Sequence, residues 1–382
     1  MERASVLILG GGVGGVVAAN ALRRRLPEHH RIVLVDRASD FSLAASYLWV
    51  MNGTRRPEQI ARPLARLARK GIEVVRGEVE SIDPAAKRAV VDGRPLAADH
   101  LVVALGARFA PEVVPGLAEL GETFCTLEGA ARLRSALARF AGGRILLVTA
   151  EPAYKCPAAP YEAALLLDAE MRRRGLRERT EIALHAAEPG PMGVAGAEVS
   201  AAVRAMVEAR GIRYRPEHAL AAVEPGAARF RDGERVGFDL LIHVPPVRPP
   251  RALAGSGLTD ESGWVSVDRS TMATRFPAVY AVGDLTLLPL SIGKTLPRAG
   301  VFAHAQAEVV AANIAAAVGG RAPTARFDGH GACFVETGDG RAGFGSGDFY
   351  AEPRPAVRLR HPRRLWHWGK VLFEKQVLWG WF

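Results

Sequence analysis

Between Val6 and Asp36 the chain runs strand, glycine loop, helix, strand, acid, and few orders of residues restrict a fold as tightly. Val6-Leu7-Ile8-Leu9 is an apolar run of buried-strand character, and Gly10-Gly11-Gly12-Val13-Gly14-Gly15 follows it directly. Val16–Leu26 reads as a helix, and a second strand, Arg31–Val35, ends at Asp36. Glycines at this spacing, with an acid about 20 residues further on, form the fingerprint of a dinucleotide-binding unit. Gly10 permits the tight turn, and Gly12 lets backbone N–H groups approach a pyrophosphate at the positive end of the helix. Gly15 lets helix and strand pack closely, and Asp36, with Arg37 beside it, would take the ribose hydroxyls.

The same periodicity returns further along. Leu101–Ala107 reads as a strand ending in the small-residue turn Ala104-Leu105-Gly106, and Ala278–Val282 as a strand ending in Gly283-Asp284. Leu296-Pro297-Arg298-Ala299-Gly300 then opens an alanine-rich helix, roughly 299–317. Two further strand–helix units, 144–149 with 161–174 and 181–186 with 196–210, precede short strands near 212–242. Strands alternating with helices predict an α/β chain of two Rossmann-like dinucleotide-binding domains. We divide it into a discontinuous first domain (1–115 and 245–320), a second over 116–244, and a C-terminal region over 321–382.

Composition narrows the class. With 382 residues and 49% hydrophobic content, one or two substantial cores can form. No apolar run reaches the roughly 20 residues of a membrane span. Residues 5–9 are already strand-like, which argues against a signal peptide and makes a cytoplasmic location the default expectation. The net charge of +10 comes largely from arginines on helical stretches such as Arg23-Arg24-Arg25 and Arg172-Arg173-Arg174, a solvated surface. No nucleic-acid-binding motif accompanies them. The three cysteines, Cys125, Cys156 and Cys333, include no CxxC pair, so neither a disulfide framework nor a metal centre is expected.

Cys156 stands in Tyr154-Lys155-Cys156-Pro157-Ala158-Ala159-Pro160-Tyr161-Glu162, directly after the strand at 144–149. A second dinucleotide domain would place a nicotinamide-binding glycine loop there. The loop at 150–160 contains no glycine. Electrons are therefore expected to reach the bound cofactor from sulfur chemistry rather than from NADH.

The fingerprint, the Ala-Leu-Gly turn at 104–106 and Val-Gly-Asp at 282–284 together resemble the two-dinucleotide-domain flavoprotein disulfide reductase superfamily. The resemblance implies FAD, with Gly283 and Asp284 at its ribityl and pyrophosphate and Pro297 and Arg298 near its ring. The flanks of Cys125, Cys156 and Cys333 are similar to the three cysteine sites of sulfide:quinone oxidoreductases. Around Cys156 they also resemble the flavoprotein subunit of flavocytochrome c. This likeness implies that HS⁻ attacks a Cys156/Cys333 disulfide or sulfur bridge, leaving a persulfide and a thiolate that adds to flavin C4a. Lys155 would favour the thiolate, Glu162 would serve as general base, and Cys125 would bond flavin or carry sulfur. The family's histidines are missing: Gly129 and Pro191-Met192 stand in their places, with His185 and His304 the nearest substitutes.

Residues 360–382 hold Trp366, Trp368, Trp379 and Trp381 among Arg363, Arg364, Lys370 and Lys375, and Leu365, Trp368, Leu372 and Trp379 recur on one helical side. Tryptophan with lysine and arginine suits an interfacial helix. Docking on the inner face of the cell membrane would give access to a lipid-soluble quinone, and Phe334 and Phe344 are candidates to line its pocket. The expected activity is electron transfer from sulfide to quinone. The alternatives are a type II NADH:quinone dehydrogenase and a flavin-binding sensor or electron-transfer protein. A homo-oligomer is possible.

Overall fold

A computed structural model describes residues 3–382. Strand Ser5–Leu9 is buried from Val6 onward, as a parallel strand covered on both faces must be. It lies at the centre of a five-stranded parallel sheet, between Arg31–Asp36 and His100–Val103. Glu73–Arg76 and Val279–Ala281 form the two edges. Residues more than 170 positions apart in the chain thus share one sheet, because Val279–Ala281 pairs with Leu101–Val103.

Helix Val13–Arg25 covers this sheet and packs against helix Gly300–Val318. The latter has 19 residues and is long and apolar enough to cross a membrane by length and composition alone. It serves as a core helix here, burying Phe302, Ala303, Ala307, Val310, Ala311 and Ile314. Its alanines allow the close approach.

A second parallel sheet has four strands in the order Arg213–Arg215, Thr180–His185, Gly143–Thr149, Leu240–Val244. Helices Ala159–Arg173 and Ala197–Glu208 accompany it. The first of these begins slightly earlier than the sequence suggests, with Pro160 in its opening turn, where a missing N–H costs nothing. The fold is α/β with two parallel Rossmann-like sheets.

The C-terminal region contains an element the sequence pattern did not announce. His330–Glu336, Ala342–Asp348 and Ala356–Arg363 form a three-stranded antiparallel meander, followed by helix Arg364–Gly380. Strand His330–Glu336 lies against both helix Ala159–Arg173 and helix Gly300–Val318. That contact carries Cys333 to the junction of the two parallel sheets' helices.

Candidate active site

The glycine loop is shaped by close approach. Gly10 has φ +107° and its N–H donates to the Val35 carbonyl at 2.8 Å. A Cβ at Gly10 would strike the Ala104 carbonyl, and one at Gly15 would strike the Gly10 carbonyl. Gly12 has nothing within 4 Å, so the space above its amide is open. Asp36, at its strand end, accepts from the N–H groups of Gly11 and Ala38. Such a cradle fits the pyrophosphate and ribose of a dinucleotide. The exposed side chain of Arg37 lies 3.6 Å from Glu78 at the rim.

Ala104 is buried beneath the loop and its N–H donates to the Leu9 carbonyl at 2.7 Å, while Gly106 turns with φ +66°. On the facing side Gly283 donates to Gln306 Oε1 at 2.7 Å. Gly283, Asp284, Pro297, Arg298 and Ala299 line one cleft at the N-terminus of helix Gly300–Val318. Arg298 Nε donates to the Asp284 carbonyl at 2.9 Å, and its guanidinium lies 3.9 Å from the Trp264 ring.

The cysteine loop is tied to this cleft through the backbone. Lys155 pairs with Arg298 in an isolated parallel bridge, and the Cys156 N–H donates to the Arg298 carbonyl at 2.8 Å. Cys156 itself has φ +58°, a left-handed conformation uncommon outside glycine. The Cys156 and Cys333 thiols are free and close enough to perturb one another, and Cys333 Sγ donates to the Phe334 carbonyl at 3.4 Å. Cys333 is the main influence lowering the Cys156 pKa. Burial and Glu162 oppose it, and Lys370 and the Ala159 N–H assist. Proximity to Cys156, with burial, pushes Cys333 well up. Of the two, Cys156 is the one whose surroundings favour a thiolate.

Cys125 lies near enough to feel the charge of Cys156 and Lys155, but burial pushes its thiol up to about 12. It sits before helix Leu127–Arg139, which Thr126 caps by accepting from the Gly129 N–H at 3.0 Å. A Cβ at Gly129 would come within 2.6 Å of the Thr123 carbonyl, so this backbone admits no histidine there.

Beneath the cysteine pair lies a buried ionic cluster drawn from three elements. Glu162, in the first turn of helix Ala159–Arg173, is ion-paired with Lys370 of helix Arg364–Gly380. Burial pushes Glu162 up to about 7; Lys370 pulls the other way and the Glu336 charge adds to the rise. Burial pulls Lys370 down, but Glu162 and Glu336 together raise it. Glu336, at the end of its strand, is 2.9 Å from His367 Nδ1. Lys370 and Arg55 each stand 4.8 Å from the Trp49 ring. Glu374 pairs with Arg55 at 2.9 Å and accepts from Ser46 at 2.7 Å.

Two expectations are corrected here. Lys155 pairs with Asp284 at 3.2 Å and lies over the Phe109 ring, and the cation that lowers Cys156 is Lys370. Lys370 is therefore no headgroup cation, because tertiary packing turns it inward onto two carboxylates. His367 was not singled out from the sequence, although His367 and Lys370 share the i, i+3 spacing that puts both on one helix face.

Neither substitute histidine joins the cysteines. His185 shares a 2.9 Å Nδ1···Nδ1 contact with His218 and stacks near Phe230. Burial pushes His185 down to about 4. His304 rests against the Trp381 ring. The position expected of a nicotinamide loop is filled: Tyr161, in the opening turn of its helix, is fully buried. Glu188, beyond the second strand of that sheet, accepts hydrogen bonds from Tyr161 at 2.6 Å, Thr149 at 2.6 Å and Tyr154.

The C-terminal helix turns two faces outward and inward. Leu365, Trp368, Leu372 and Trp379 are 65%, 60%, 68% and 69% exposed. Trp366 stacks on Phe344 at 4.7 Å, and Trp381 packs on Phe41. Phe334 and Phe344 are 5.1 Å apart under the same helix.

Residues 4–308 match the model of the pyridine nucleotide-disulphide oxidoreductase family. The chain is 29% identical to the sulfide-quinone reductase of Aquifex aeolicus, over 98% of this chain and 90% of that protein. It is 24% identical to the mitochondrial sulfide:quinone oxidoreductase of Mus musculus, over 91% of this chain and 79% of the relative. The crystal structure of the Aquifex aeolicus sulfide:quinone oxidoreductase superposes with a TM-score of 0.91 at 27% identity, covering 99% of this chain and 91% of that one. By this match the chain belongs to the pyridine nucleotide-disulphide oxidoreductase family and is an FAD-dependent oxidoreductase.

Proposed function

We propose that this chain passes two electrons from sulfide, through the Cys156/Cys333 pair and FAD, to a quinone at a membrane surface. One observation carries the reading: Cys156 and Cys333, from distant parts of the sequence, come close enough to perturb one another beside the backbone that lines the cofactor cleft. Gly10, Gly12, Gly15 and Asp36 would hold the pyrophosphate and adenosine end of FAD, with Ala104 and Gly106 lining the turn. Gly283, Asp284, Pro297 and Arg298 would flank the rest. Bound there, FAD supplies a two-electron acceptor that can be reoxidised by quinone.

The protein's own residues prepare the sulfur step. In the disulfide form, HS⁻ attacks one sulfur, an S–S bond forms as the Cys156–Cys333 bond breaks, and one cysteine leaves as thiolate. The second sulfur becomes a persulfide, Cys–S–SH. Lys370 and the Ala159 N–H stabilise the thiolate when it is Cys156. Glu162 takes the proton released by H₂S or by the persulfide, since burial holds its pKa near working pH. Cys125, held as a thiol, would receive sulfur only after losing that proton.

Access to quinone would come through helix Arg364–Gly380. Its exposed Leu365, Trp368, Leu372 and Trp379 suit insertion at headgroup depth, and Arg363, Arg364 and Lys375 suit anionic lipid. We place this surface on the inner face of the cell membrane, with Phe334 and Phe344 near the quinone. The division into domains at 1–115 with 245–320, 116–244 and 321–382 is our reading of the same architecture, and a homo-oligomer is compatible with it.

The test is anaerobic bleaching of the flavin's visible band. Sulfide should bleach it promptly, NADH should not, and Cys156→Ser should abolish the sulfide response while retaining flavin. Bleaching by NADH would overturn the reading, because Tyr161 and the triply bonded Glu188 leave nicotinamide no cradle.

A further inference from the structure

Oxidising sulfide releases a proton within a site whose expected histidines are absent, and that proton must leave the interior. Glu162, buried and beside the cysteines, can accept it; it has no direct exit of its own. Glu162 and Glu336 face a single ammonium, Lys370, so the buried cluster of two carboxylates and one lysine carries a net negative charge unless a further proton joins it. Burying unbalanced charge is costly, and a proton shared within the cluster removes the imbalance. The side chain positioned to exchange that proton with solvent is His367. Its Nδ1 lies 2.9 Å from Glu336 Oε2, and its side chain is 23% exposed where that of Glu336 is 2%. Nε2 makes no hydrogen bond among the described residues.

We infer that His367 is the proton port of the cysteine site, passing to solvent the proton that Glu162 takes up. The inference rests on the sulfide reading given above. When Glu162 gains a proton, the cluster loses one negative charge. His367, hydrogen-bonded to Glu336 through Nδ1, relays that charge outward and hands a proton to solvent at Nε2. Atoms and charge balance: H₂S and the cysteine disulfide become a persulfide, a thiolate and one proton, and that proton is the one exported.

The groups facing His367 come from each packed element. Glu336 approaches from the meander and Lys370 from one turn along its own helix. The Trp49 ring, 6.0 Å away, approaches from helix Tyr47–Met51 and has Arg55, the partner of Glu374, 4.8 Å from its centroid. No other histidine is hydrogen-bonded to this cluster among the described residues.

The test is anaerobic stopped-flow reduction by sulfide from pH 6 to 9 in the full-length flavoprotein and in His367→Asn, which keeps a donor near Glu336 but cannot relay a proton. His367→Gln is the second variant if the first folds poorly. Expected are a loss of flavin reduction on the order of 10- to 100-fold, an altered pH profile, slower dye-detected proton release, and recovery with added imidazole. Reoxidation by quinone and the rate of Cys156 alkylation by iodoacetamide should stay unchanged. An unchanged reductive rate and pH profile, a defect confined to quinone reoxidation, or altered alkylation pointing to a merely structural role would each overturn the inference. Failure of sulfide to bleach the parent protein would instead overturn the sulfide reading itself.

Discussion

Cys156 holds its thiol in backbone that most side chains avoid, at φ +58°, which costs of order 1 kcal/mol and is tolerated where surrounding bonds over-determine the turn. Here those bonds are the Cys156 N–H to the Arg298 carbonyl and the Ala159 N–H to the Cys156 carbonyl. Glu162 shows the second residue-scale effect. Its pKa, pushed up to about 7 by burial, leaves the carboxyl protonated below that pH and able to act as a base above it. Flavin reduction by sulfide should therefore rise as pH increases through about 7. In Glu162→Gln that rise should disappear and the rate fall by about 10²-fold, measured by stopped-flow at matched flavin content. Cysteines 125, 156 and 333 and Glu162 were legible because their flanking residues are themselves a pattern. Lys370 and His367 were not, because Trp-rich sequence around them reads as surface until the helix is docked.

At the scale of elements, helix Arg364–Gly380 does two jobs on opposite faces. Its inner face completes the ionic cluster with Lys370 and Glu374, and its outer face leaves Leu365, Trp368, Leu372 and Trp379 uncovered. Deleting the helix would remove both, so substitutions on the outer face alone are the informative ones. Leu372→Asp with Trp379→Asp should lower membrane affinity, read by liposome flotation, on the order of 10²- to 10⁴-fold, since each apolar side chain contributes about 1.5–3 kcal/mol when buried. Flavin content and sulfide bleaching should persist, and unchanged flotation would reject the membrane face. The i, i+3, i+4 spacing of this outer face was readable directly. The antiparallel meander before it was not, because its middle strand, Ala342–Asp348, has three glycines in seven residues and little alternation.

For the molecule as a whole, acid should be the weak side of the stability profile. His185 and His243 are buried, and burial pushes each down to about 4. A histidine whose folded pKa lies below its unfolded value of about 6.5 leaves the unfolded chain as the better proton binder. Stability is thus complete above about pH 6.5 and lost as pH falls toward 4, by up to roughly 3 kcal/mol for each group. Thermal unfolding should show a lower Tm at pH 5 than at pH 7.5, and His243→Gln should remove part of that difference. An unchanged Tm would show that these histidines bind protons equally in the folded and unfolded states.

What the sequence determined by itself was the α/β class, the dinucleotide cradle at Gly10–Gly15, its cofactor class and the presence of three cysteine sites. Each is written in residues that are neighbours in the chain, where turn chemistry and strand or helix period act locally. Only the tertiary structure decided which charges face those cysteines. Glu162 and Lys370 lie 208 positions apart, and their contact depends on how one helix docks against another across a meander with weak local pattern. Burial there turns a surface-like lysine into the cation of an internal ion pair, because a charge removed from water must find its partner inside.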